Sequence, residues 1–137
     1  EGRYSVSPAF FGETAQLFRT GSADDGETKV AIRDVYRRTG YLMDPHTAVA
    51  WKVCGELGIE RKTVIVSTAS PYKFAADVLD ALTGESAAGL QAVDRLHGLT
   101  GLEIPQSLAE LKCLPERHNR LCDKEGMGTA LLDALGG

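Results

Sequence analysis

The stretch VIVSTASPYKF, residues 64–74, sets Ser67, Thr68 and Ser70 within four positions of one another, directly after a run of branched apolar residues. A hydroxyl just past the C-terminal end of a buried strand stands where open α/β sheets bind ligands. Thr68 is therefore the first candidate for a ligand hydrogen bond, with Ser67 beside it. The competing account is a helix cap, for which Ser70, ahead of Pro71, is the better placed residue. A second stretch, GYLMDPHTAVAW (residues 40–51), puts His46 and Thr47 in the first turn of a helix opened by Asp44 and Pro45. Free N–H groups and the positive helix end can hold an anion such as a phosphate there. Asp44-Pro45 is equally a good helix start, with His46 merely solvated. Lys73 is either an exposed helix residue or an anion-pairing cation. Cys113, His118 and Cys122 offer C-x₄-H-x₃-C. That is one ligand short of a closed zinc site, so free thiols are the better account and no metal is expected.

Helices dominate the elements that must position these groups. Ser7-Pro8 opens a helix reaching Arg19, and a turn-rich loop, Thr20–Glu27, follows it. Glu27–Thr39 presents Ala31, Ile32, Val35 and Tyr36 on one face and stops at Gly40. The helix begun at Asp44 runs to Gly58 with Val49, Val53 and Leu57 inward, and Trp51 is expected in the core. Thr63–Ser67 is the one strong strand signal, continuously apolar as if covered on both faces of a parallel sheet. Ser70 caps the next helix, whose stripe is Phe74, Ala75, Val78, Leu79 and Leu82. Ser86–His97 ends at Gly98, with His97 suited to the helix end. Pro105–Leu111 is short, and Met127–Leu135 turns Leu131, Leu132 and Leu135 inward. The fold class this predicts is α/β, with one clear central strand and about six helices. One strand cannot make a sheet. Either further strands go unrecognised or they belong to a segment outside these 137 residues.

Composition bounds the rest. A chain of 137 residues, 43% apolar and 25% charged, has the size and balance of one ordinary folded domain. Fifteen Lys and Arg against nineteen Asp and Glu leave a net charge of -4, and no basic patch marks a nucleic-acid partner. Apolar runs are too short to span a membrane, and no signal peptide is visible. Three cysteines, an odd number, do not form a disulfide framework. A reducing, cytoplasmic setting is expected. The start at Glu1 rather than Met reads as a processed product or a piece of something longer.

The two stretches together resemble the C-terminal part of threonine synthases of the bacterial and fungal type. That family has a D/E-P-H-x-A-V element followed, after one helix and a strand, by T-A-x-P-x-K-F. Here these are Asp44-Pro45-His46-Thr47-Ala48-Val49 and Thr68-Ala69-Ser70-Pro71-Tyr72-Lys73-Phe74. Ile32-Arg33-Asp34-Val35-Tyr36, ahead of the first, is also similar to the family's text. The resemblance is strongest from about residue 27 to residue 82 and weak after residue 100.

The resemblance implies the helix-rich C-terminal portion of the type II pyridoxal 5′-phosphate fold, with residues 1–137 a single segment of a longer chain. It implies a lyase that converts O-phospho-L-homoserine and water to L-threonine and phosphate. Thr68, with Ser67 second, is then expected to bond the cofactor's pyridine nitrogen, and His46 and Lys73 to face the substrate. The family's Schiff-base lysine, in S-F-K-D, and its phosphate loop, G-N-F-G-N, are absent from these residues. Lys73 belongs to the wrong motif to replace that lysine. The chain alone is expected to be inactive, with the remainder of the parent chain as its partner. Two other readings stand beside this one: a non-catalytic α/β module that binds a partner protein, and a part of another type II enzyme.

Overall fold

The computed structural model describes residues 2–59, 61–115, 117 and 120–136. The chain divides into two compact units, Glu1–Pro105 and Gln106–Gly137. In the first, α1 (Pro8–Leu17), α2 (Asp25–Thr39) and α3 (Pro45–Glu56) precede a 3₁₀ turn (Pro71–Phe74), α4 (Ala75–Thr83) and α5 (Gly89–Thr100). The second holds α6 (Gln106–Ala109), a 3₁₀ turn (Glu110–Cys113) and α7 (Met127–Ala134).

Local chemistry sets most of the helix ends. Ser7 accepts the Phe10 N–H, and Asp24 and Glu27 form a reciprocal capping box at the start of α2. Asp44 caps α3 with Pro45 at its first position. Gly40 ends α2 at φ 74°, a left-handed conformation that suits glycine. The core of the first unit lies where α2 meets α3 and α4, and where α4 meets α5. Ile32, Met43, Val78 and Leu96 are fully buried there. Each such side chain contributes about 1.5–3 kcal/mol of transfer free energy. The 3₁₀ turn is tied to the chain beyond α5 by the Tyr72 hydroxyl, which donates to the Leu102 carbonyl. His97 Nδ1 lies 2.7 Å from the same oxygen.

The expected central strand is absent, and the α/β class with it: among the described residues every regular element is a helix. Thr63–Ser67 forms no ladder, and no backbone–backbone hydrogen bond joins it to any other described segment. Val64 and Val66 are 86% and 72% exposed. A strand needs a partner to take its N–H and C=O groups. β-branched composition marks suitability for a sheet and cannot supply the second strand.

Smaller differences have similar causes. α5 runs three residues beyond His97 and is capped by Gly101 at φ 69°, while Gly98 lies inside the helix. Val49, Val53 and Leu57 are only half-buried, and Thr47 and Ala48 are the buried residues of α3. Trp51 is exposed rather than core, and Phe74 is half-buried. In the second unit, Leu131, Leu132 and Leu135 are exposed rather than inward. There Arg120 holds Asp133 at 2.8 Å.

Candidate functional site

The entry to α3 carries a polar cluster built on a buried carboxylate. The Asp44 side chain is completely buried, at 0% exposure. Its Oδ1 accepts the His46 backbone N–H at 3.0 Å and lies 3.2 Å from the His46 ring Nδ1. Its Oδ2 accepts the Thr47 hydroxyl. Burial by itself raises the Asp44 pKa. The hydrogen bonds from Thr47 and His46 outweigh that and hold the carboxyl below its ordinary value.

The cluster continues into the second motif. The Thr47 and Ser67 hydroxyls are 3.1 Å apart. Thr47 has one proton, and it goes to Asp44, so the Ser67 hydroxyl is the donor between the two. Ser70 accepts the Tyr72 N–H at 3.3 Å and so caps the 3₁₀ turn. That turn carries Phe74, whose ring centroid is 4.9 Å from that of His46 at an interplanar angle of 57°. Lys73 Nζ stands 5.5 Å from the centroid of the same Phe74 ring.

Of the four residues singled out from sequence, His46, Ser67 and Lys73 thus join one set of contacts. Thr68 does not: it is exposed and forms no hydrogen bond among the described residues. Without a strand, the sheet-end argument that pointed to Thr68 no longer applies. What remains is an uncommitted hydroxyl, able to donate or accept, beside one whose proton is already spent. Sequence reasoning missed Asp44 and Thr47 as more than a helix start. The signal was available, because an N-cap acid with a hydroxyl three residues on is capping spacing.

Among the described residues no group of three His, Cys, Asp or Glu side chains is placed to hold a metal ion. Cys113 and Cys122 are free and exposed, and His118, the third member of the C-x₄-H-x₃-C set, lies outside the described residues. No helix among the described residues is long and apolar enough to cross a membrane.

No family model matches the chain. It is 34% identical over 89 residues to threonine synthase of Pseudomonas aeruginosa, a match covering 64% of this chain and 19% of that protein. With threonine synthase-like 1 of Homo sapiens it shares 34% identity over 80 residues, 58% of this chain and 11% of that one. With threonine synthase-like 1 of Mus musculus it shares 35% over 110 residues, 80% of this chain and 13% of that one. The matched stretch spans under a fifth of the length of these curated relatives. Over most of its length, then, this is a threonine synthase-related chain.

Proposed function

We propose that these 137 residues are the C-terminal part of a longer, pyridoxal 5′-phosphate-dependent threonine synthase, which forms L-threonine and phosphate from O-phospho-L-homoserine and water. The observation that carries this reading is the meeting of the two motifs. Residues 44–49 and 67–74 are far apart in sequence, yet they contact through Thr47–Ser67 and His46–Phe74. The identity to threonine synthases supports the reading independently.

In it, Thr68 meets the pyridine nitrogen of the cofactor, with Ser67 as the neighbouring hydroxyl. His46 and Lys73, both packed on Phe74, face the substrate. When bound, the cofactor supplies an electron sink for chemistry at the substrate's carbons. A hydroxyl partner leaves the pyridine nitrogen less protonated than a carboxylate would and so moderates that sink. The lysine that would anchor the cofactor is not among these residues.

Thr68→Val in the longer protein tests the assignment. Valine keeps the shape and removes one hydrogen bond. Threonine formation should fall by about one to two decades, with the protein still folded and cofactor-loaded. Ser70→Ala should cost about 1 kcal/mol of stability through a lost cap, with little effect on turnover. Full activity in Thr68→Val together with its loss in Ser67→Ala would show that the cofactor contact belongs to Ser67.

A further inference from the structure

We infer that Asp44 is a positioning residue for His46. It holds the neutral ring in the Nδ1–H tautomer, so that Nε2 presents a lone pair to a proton-bearing group of the ligand. The inference rests on the reading of His46 as substrate-facing and sharpens its role.

The hydrogen-bond arithmetic leads there. Asp44 is fully buried and already accepts the His46 backbone N–H and the Thr47 hydroxyl. Its carboxyl is held below its ordinary value, so near neutral pH it is ionised and has no proton to give. The third group it faces, His46 Nδ1 at 3.2 Å, must therefore carry the hydrogen. In the neutral ring Nε2 is then an acceptor. Phe74, 4.9 Å away, packs on the ring and restrains its rotation, while the side chain stays 68% exposed.

The ring borders a recess of about 190 Å³ that also involves Asp25, Lys29 and Asp77. Lys29 is engaged with Asp80 at 2.6 Å. Asp25 and Asp77 are the groups that could instead draw a proton onto Nε2. With the Nδ1 side fixed by a buried carboxylate, a neutral His46 suits a hydroxyl, a water or an ammonium. It does not suit a phosphate oxyanion, which requires a donor. Within the proposed reaction that leaves the phosphate to Lys73 and gives His46 the water or the substrate's amino group.

The test is read on the 137-residue chain without substrate. Long-range ¹H–¹⁵N correlation of the ¹⁵N-labelled protein at about pH 8, where histidine is mostly neutral, distinguishes the two tautomers. His46→Gln identifies the relevant signal among the three histidines. The expected result is a majority of Nδ1–H in the wild type. In Asp44→Ser, which keeps a good helix cap, the Nδ1–H to Nε2–H ratio should fall about tenfold, the worth of one charge-assisted bond. Should that variant not fold, Asp44→Asn should shift the ratio in the same direction by less. A majority of Nε2–H in the wild type overturns the inference, as does an unchanged ratio in a folded Asp44 variant. Because no turnover is measured, the tautomer result is separable from the proposed reaction. An inactive parent protein with the Nδ1–H tautomer in place would sink only the proposed function.

Discussion

At the scale of the residue, Asp44 is where sequence and stability meet most directly. Its carboxyl sits below its ordinary value of 3.8 because Thr47 and His46 stabilise the charged form more than burial penalises it. A depressed folded value means that the unfolded chain binds the proton more readily. The stabilisation is complete above about pH 4 and is lost as pH falls through the lower folded value. Asp44→Asn should therefore cost roughly 1–3 kcal/mol near neutral pH. Urea midpoints of the wild type and this variant should converge as pH drops below about 4. A gap that stays constant down to about pH 2 would mean the carboxylate's charge contributes nothing. The importance of Asp44 was only half legible in the sequence. Asp-Pro announces a helix start by local chemistry, but that the same carboxylate would be wholly buried and reached by an imidazole depends on packing.

At the scale of the element, what could be read was what the chain decides within a few residues. Ser7, Asp44 and Ser70 act as caps because a side chain and an N–H two or three positions on need nothing else. The Asp24–Glu27 box was equally local but lay just before the expected helix start. Thr63–Ser67 fails as a strand for the opposite reason, since its apolar run says nothing of a ladder partner. Helical periodicity likewise placed α7 but not the burial of its leucines, which requires a facing surface. The contrast yields a comparison. α1 buries none of its residues, so deletion of residues 1–19 should change the stability of the first unit by less than about 0.5 kcal/mol. Asp24→Ala, a single substitution, should cost about 1 kcal/mol. Chemical denaturation of both variants checks the order. A deletion that costs more than the cap would mean α1 packs where the structure shows it exposed.

At the scale of the whole molecule, a helical unit with a polar cluster at its α3 entry is built from a sequence related to threonine synthases. The cluster offers hydroxyls, an imidazole and an ammonium group, which can bind and orient but do not include the family's cofactor-anchoring lysine motif. The most direct measurement is an assay of L-threonine and phosphate from O-phospho-L-homoserine with added pyridoxal 5′-phosphate. It is run on the 137-residue chain and on the longer protein proposed to contain it. The longer protein should give equal amounts of threonine and phosphate, and the chain alone nothing above the free-cofactor background. Turnover by the isolated chain, or none by the longer protein, would contradict the proposed function.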